Sequence, residues 1–180
     1  TTKSIHLIGN LQGTLTDTVG FIQDLPTELV SSFKSTLEES KNVDLLVHVI
    51  DASDPNHEQH EKTVLSIMKD LDMQEIPRLT LYNKADKVAD FTPTQTPFSL
   101  ISARSETARE DLQALLLEKL RELFVPFTIR VPFSKSYRTH DLETVAIIDQ
   151  REFEEDVEVI QGYIAEKNKW KLEEFYDGLR

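Results

Sequence analysis

The sequence predicts an α/β fold with a mostly parallel sheet, followed by a small α+β domain. Three observations carry this expectation. The run "DLLVHVID", Asp44 to Asp51, is almost continuously apolar, as a parallel strand covered on both faces must be. Helical patterns alternate with short strands as far as Phe124. Beyond Val125-Pro126 that alternation stops. We therefore divide the chain into domains of residues 1–125 and 126–180.

Taken in order, "SIHLIGNLQGTLTD" reads as two short alternating strands around Gly9-Asn10, a pair suited to a tight hairpin turn. In "TELVSSFKSTLEES", Leu29, Val30, Phe33 and Leu37 recur on one helical face. After the apolar strand, Asp54-Pro55 supplies a cap and a first helical residue for a helix carrying Val64, Ile67, Met68 and Leu71. "RLTLYN" and "FSLIS" are two further strands, and the Pro/Thr-rich "FTPTQTP" between them reads as a solvent loop. "SETAREDLQALLLEKLRELF" is a strongly periodic helix with Leu112, Leu115, Leu116, Leu120 and Leu123 on its stripe. In the second domain "FTIRVPF" is a strand, "SYRTHDLETVAIIDQ" a helix, and "DVEVIQGYIAEKNKWKLEEF" a hairpin leading into a short helix.

Composition narrows the function classes. The chain has 180 residues, is 39% apolar and carries a formal net charge of -12, with acids exceeding bases on both sides of Pro126. An acidic field of this kind argues against strong non-specific nucleic-acid binding. Cysteine is absent, which removes disulfides, thiolate metal sites and cysteine nucleophiles together. No apolar run has a membrane-spanning length, and no secretory leader pattern opens the sequence, so the expected location is cytoplasmic.

In an open parallel sheet, ligands bind beyond the carboxyl ends of the strands. Three candidate motifs sit there: Asp17-Thr18-Val19-Gly20, Asn83-Lys84-Ala85-Asp86 and Ser102-Ala103. Their order and spacing resemble the third, fourth and fifth motifs of translation-factor-type GTPases. A carboxylate at Asp17 suits the shell of Mg²⁺, and a glycine at Gly20 lets a backbone N–H approach a terminal phosphate. Asp86 only accepts hydrogen bonds, and guanine presents two adjacent donors where adenine presents an acceptor. A mismatched base would leave buried polar groups unpaired, a rejection of roughly 10⁴-fold or more. The DxxG pattern is weak alone. The three fixed positions of NKxD coincide by chance in a chain of this length only about once in fifty.

With Phe21 and Ile22 after the glycine, "DTVGFIQDLP", "ELVSSFKSTLEE" and "VDLLVHVIDASDP" resemble the G domain of the HflX family of ribosome-associated GTPases. The likeness is strong to about Phe124 and looser after Pro126. It implies a partial P-loop GTPase fold of the Ras-like kind, GTP and GDP binding with Mg²⁺ as cofactor, slow GTP hydrolysis, and association with the large ribosomal subunit in rescue or splitting of stalled ribosomes. The resemblance assigns Asn83 to brace the base, the stem of Lys84 to lie along its plane, the Ala103 amide to meet the guanine oxygen, and Thr1 or Thr2 to sense Mg²⁺ beside Asp17. Thr18, Val19, Phe21 and Ile22 fall in a switch segment. Many GTPases place a water-orienting Gln where Phe21 stands. Either another group orients the water, or a partner rearranges this loop to permit hydrolysis; the plainer alternative is that Phe21 and Ile22 pin it to the core.

The Walker A loop, G-x-x-x-x-G-K-[ST], is not among these 180 residues. In the family it lies upstream of Thr1, so the sequence reads as the back part of a G domain with the small C-terminal domain attached. This chain alone is expected to be inactive and to lack phosphate-dependent affinity. The alternative function is a non-catalytic protein- or ribosome-interaction module built on a GTPase remnant.

Other features carry plainer expectations. "HEQHE", His57 to Glu61, has its histidines three apart, where a zinc-protease helix needs four, and reads as a solvated face. His48 reads as a satisfied core residue and "EFEEDVE" as a solvated strand edge or loop. Trp170 and Phe175 either pack the last helix or form an exposed anchor.

Overall fold

The computed structural model describes residues 2–18 and 27–176. Thr1, Val19, Gly20, Phe21 and Ile22 lie outside the described residues, as do the side chains of Leu29, Val30 and Phe33. Contacts gather the described residues into two compact units. One comprises those of 1–2 and 16–112, the other those of 3–15 and 113–180. Residues 3–15 and 113–124, which the sequence groups with the first domain, thus share contacts with the second unit.

In the first unit, strands β3 (Leu46–Asp51), β4 (Arg78–Asn83) and β5 (Ser99–Leu100) form a parallel sheet in that order. Helix α1 (Thr27–Glu39) precedes β3, and α2 (His57–Asp70) makes the crossover from β3 to β4. Leu37 of α1 joins Ile67, Met68 and Met73 in a buried cluster, with Val64 and Leu71 packed against it. The expected stripe of α2 is the one that faces the core. The helix begins two residues later than Pro55, because Asp54 spends its carboxylate on the Asn56 amide (2.8 Å) in a local turn.

In the second unit, β6 (Val125–Pro132), β7 (Ala146–Glu154) and β8 (Val157–Ile164) form an antiparallel sheet in the order β6-β8-β7. Period-two alternation on β6 buries Phe127, Ile129 and Val131 against Ile160, Ile164, Leu172 and Phe175. Only Thr139–Glu143 of "SYRTHDLETVAIIDQ" is α-helical (α4). Its "AIIDQ" is strand β7 and supplies the partner of the hairpin. Residues Ile147 and Ile148 are β-branched and pair across to Tyr163 and Gly162, and this long-range pairing overrides the local helical pattern. Near the β7 irregularity a Cβ on Gly162 would stand 2.0 Å from the Ile147 carbonyl oxygen, so only glycine fits there. The last segment is a 3₁₀ stretch, Glu166–Leu172, followed by α5 (Glu173–Tyr176).

The N-terminal strands β1 (Thr2–His6) and β2 (Gln12–Thr16) form the expected hairpin, though with a five-residue connection closed by Leu7 N–H to Leu11 O (2.8 Å). Gly9 and Asn10 both take left-handed φ, +78° and +70°. Within the second unit Leu11 packs with Leu117 of α3 (Ala108–Leu123) and with Ile147. Leu117, outside the expected stripe, is the buried leucine of that helix, while Leu123 is exposed.

Candidate functional site

The site is built where three parallel strands end level. Register pairs Asp51 with Asn83 and Tyr82 with Leu100, so the loops after β3, β4 and β5 leave the sheet side by side. Backbone bonds tie those loops. Ala52 N–H reaches Asn83 O (2.9 Å), Ile101 N–H reaches Tyr82 O (2.9 Å), and Ala85 N–H reaches Ile101 O (3.0 Å). Directly after β4, Lys84 adopts a left-handed conformation (φ 64°), which reverses the chain into a short 3₁₀ turn, Ala85–Lys87. That turn carries Asp86 to the surface.

Side chains join the motifs as well. Ser102 Oγ donates to Asp86 Oδ1 at 2.6 Å, and the Ala103 amide donates to Asn83 Oδ1 at 3.0 Å. The hydroxyl of Ser102 holds the Asp86 carboxyl below its ordinary range against the opposing effect of desolvation, with its own backbone amide and the charges of Arg104 and Lys87 adding to the pull. Asp86 is therefore a carboxylate at neutral pH, an acceptor at an exposed loop. In this state the Ala103 N–H is engaged by Asn83.

Sequence reasoning missed what holds Lys84. Its ammonium donates to Asp51 Oδ2 at 2.5 Å, and Asp51 also accepts from the Ser53 amide (2.9 Å) and hydroxyl (2.6 Å). Desolvation pushes the Asp51 carboxyl up, but the bonds from Lys84 and Ser53 outweigh it, and its pKa is lowered to about 2. A strand-end acid level with Asn83 was the available signal, since parallel register brings the ends of neighbouring strands together.

Behind the turn lies a second group that the sequence disguised. Glu61, read as part of a solvated face, is buried. It accepts from Tyr82 Oη (3.1 Å), His57 Nδ1 (2.9 Å) and Thr94 Oγ1. His57 packs on Tyr82 and Phe91, and His60 pairs with Asp54 at 3.1 Å. "FTPTQTP" is correspondingly no free solvent loop: the amides of Thr94 and Gln95 both donate to Tyr82 Oη (3.3 and 3.1 Å). His48 differs from expectation too. Its Nδ1 is buried without a hydrogen-bond partner among the described residues, and burial, with the charge of Arg78, lowers its pKa to about 4 against a weaker raising effect of Glu61.

Asp17 and Thr18 follow β2, Asp17 exposed and Thr18 half-buried. Val19, Gly20, Phe21, Ile22 and Thr1 lie outside the described residues, and among the described residues no three His, Asp or Glu side chains are grouped to hold a metal. A depression of about 400 Å³ adjoins Ala85 and is lined by Val88, Phe91 and Leu100, without Asp86 or Ala103. Among the described residues no helix is long and apolar enough to cross a membrane.

Trp170 and Phe175 divide the two readings given them: Phe175 is buried in the core, whereas Trp170 is exposed with the Lys171 ammonium 5.6 Å from its ring centre. In "EFEEDVE" the expected exposure holds as far as Asp156, but Glu158 is buried and bonded to Arg151 and Ser136.

A family model described as a 50S ribosome-binding GTPase matches residues 1–84. Among curated proteins, the GTPase HflX of Alkalihalophilus pseudofirmus is 42% identical over 92% of this chain and 40% of its own length. The GTPase HflX of Chlamydia pneumoniae is 31% identical over 97% of this chain and 38% of its own, and that of Escherichia coli 34% identical over 79% and 35%. The chain spans about 40% of the length of the curated relatives it matches. Among solved structures, a GTP-binding protein from Sulfolobus solfataricus in complex with GDP superposes with a TM-score of 0.55 at 26% identity, covering 66% of this chain and 43% of that one.

Proposed function

We propose that this chain, which belongs to the HflX family of GTPases, carries the guanine-reading part of a nucleotide site and acts within a protein that binds GTP and GDP, hydrolyses GTP slowly and associates with the large ribosomal subunit. The observation that carries the reading is the pair of bonds joining NKAD to Ser-Ala, Ser102 Oγ to Asp86 and Ala103 N–H to Asn83. Asp86, ionised and fixed by Ser102, accepts from the N1–H and 2-amino group of guanine. Lys84, held by Asp51, lays its stem along the base plane. The Ala103 amide turns from Asn83 to the guanine oxygen when the base enters, and Asn83 is then released to brace the base.

Residues 1–125 act as the G domain and 126–180 as the small C-terminal domain, in the cytoplasm. Ribosome association draws support from the description of the matching family model. For Mg²⁺ the fit rests on Asp17, an exposed carboxylate beside a strand end. Mg²⁺ keeps several waters and takes only one or two carboxylates alongside phosphates, so a single aspartate suits that shell, with Thr1 as the further ligand the family resemblance implies. The ion would supply charge compensation at the phosphates. Gly20 lets a backbone N–H approach the terminal phosphate, and Thr18, Val19, Phe21 and Ile22 act as the switch that responds.

A base-reading site can be tested without phosphates. Titrating the chain with guanosine and with adenosine at millimolar concentration, followed by amide shifts, should move Ala85, Asp86 and Ala103 with guanosine only. Asp86→Ala should abolish the preference. Equal responses to the two nucleosides would favour the interaction-module reading instead.

A further inference from the structure

We infer that Glu61 and Tyr82 are positioning residues for base recognition: together with Thr94 they clamp the base of the loop that presents Asn83, Lys84 and Asp86. This rests on the guanine reading above and extends it to residues that never touch the nucleotide.

The geometry is that of a closed ring. Tyr82 stands one residue before Asn83, at the end of β4. The chain then leaves the sheet, makes the left-handed step at Lys84 and the turn bearing Asp86, and returns to Tyr82. There its hydroxyl accepts from the amides of Thr94 and Gln95 at 3.3 and 3.1 Å while donating to Glu61 Oε2 at 3.1 Å. Thr94 Oγ1 donates to the same Glu61 oxygen. One buried carboxylate thus grips both ends of the loop at once. Within the ring Val88 and Phe91 pack on Ile50, Ala52 and Tyr82, and the Phe91 and Tyr82 rings lie 4.7 Å apart.

A buried carboxylate without partners is strongly unfavourable, and Glu61 is 1% exposed. The bonds from Thr94, His57 and Tyr82 outweigh its desolvation, leaving its pKa below the ordinary value. Glu61 is thereby an ionised anchor on α2, fixed at the other oxygen by His57. Reading a base by two hydrogen bonds demands placement of the acceptor to about 0.5 Å. At the start of the loop Ala85, Lys84 and Asp86 are bonded to Ile101, Asp51 and Ser102. The clamp adds polar attachments at the loop's return, at Thr94 and Gln95, and so holds residues 83–93 between two fixed ends.

The test uses Tyr82→Phe, which removes the hydroxyl, and Thr94→Val, an exposed position where the fold is not at risk. Each should raise amide exchange across residues 84–95 about 5- to 10-fold, the worth of one hydrogen bond, with β6 and β8 amides unchanged. The guanosine-over-adenosine preference should fall by a similar factor. Exchange unchanged in both variants overturns the clamp. Faster exchange with an unaltered preference overturns the positioning role, because a merely structural contact would behave that way. A parent chain that shows no preference for guanosine, yet exchanges faster in both variants, refutes the guanine reading and with it the role in base recognition, while leaving the loop clamp established.

Discussion

Among the described residues each unit buries one glutamate, and the two are satisfied by different donors. In the antiparallel unit Glu158, 1% exposed, is met by an opposite charge: Arg151 donates to it at 2.6 Å and also binds Glu143, while Ser136 bonds the other oxygen at 2.6 Å. In the parallel unit Glu61, equally buried, meets a phenol, a threonine hydroxyl and an imidazole. The first arrangement joins β7, β8 and the segment between β6 and α4, and serves the sheet itself. The second joins a helix, a strand and a loop, and serves the place where the strand ends converge. At Glu158 the guanidinium and one hydroxyl carry the carboxylate, whereas at Glu61 three separate donors distribute the bonds over a helix, a strand and a loop. The second device can therefore aim a loop.

The comparison makes a quantitative demand. Arg151→Met leaves a buried carboxylate with Ser136 as its remaining donor and should destabilise the antiparallel unit by about 3 kcal/mol, the range for removing one partner of a buried pair. Thr94→Val leaves Glu61 with two donors and should cost about 1 kcal/mol. Denaturant titration of both variants checks the order. If Arg151→Met cost no more than Thr94→Val, the distinction between the two glutamates would fail. Restoring most of the loss with Glu158→Leu added to Arg151→Met would sharpen it.

A smaller effect separates the sheets by pH. The half-buried His48 of β3 has its Nδ1 buried and unpartnered among the described residues, and its pKa falls from 6.5 to about 4. An unfolded chain takes up this proton as the pH drops through 6.5, and the folded one resists until about 4. The unfolded state thus binds more protons in that window, and stability present above pH 6.5 declines as the pH approaches 4. The loss should be about 3 kcal/mol. Protection of β3 and β4 amides, taken relative to the intrinsic exchange rate at each pH, should fall between pH 7 and 4.5, and His48→Leu should flatten that dependence. An unchanged slope in the variant would remove His48 as the cause.

Much of the architecture was legible because local pattern and long-range packing agree. The stripe of α2 and the alternation of β6 bury the residues their periodicity names, whereas in the apolar run at β3 Ile50 is buried, Leu46 and Val47 are half-buried and Val49 is exposed, so that strand is not covered on both faces. Legibility failed where they disagree. The strand "AIIDQ" follows a helical turn without a break, and only pairing with β8 shows that it is extended. Glu61 sits in a run of polar residues that looks solvated, and nothing local announces that Tyr82 and Thr94 converge on it. The NKAD and Ser-Ala letters were readable, but the left-handed Lys84 and its bond to Asp51 come from strand register, which a single sequence does not display.

The finest distinction concerns Asp51, where stability and placement should part company. Asp51 and Lys84 are substantially exposed, 36% and 44% by side chain, so water screens their attraction. Although the carboxyl is lowered to about 2 from 3.8, that shift overstates what the pair contributes, and Asp51→Asn should cost only about 0.5–1 kcal/mol. Being a depressed carboxylate, its contribution is present above about pH 4 and is lost as the pH falls through 2. That window lies below the one set by His48, so the two can be read from one acid titration. The same substitution frees the Lys84 ammonium, whose stem is proposed to lie along the base. Guanosine binding should weaken by more than the stability change accounts for, with adenosine unaffected. A loss of guanosine affinity no larger than the loss of stability would mean that Asp51 anchors the strand ends without orienting Lys84. The parallel unit would then owe its aim to Glu61 alone.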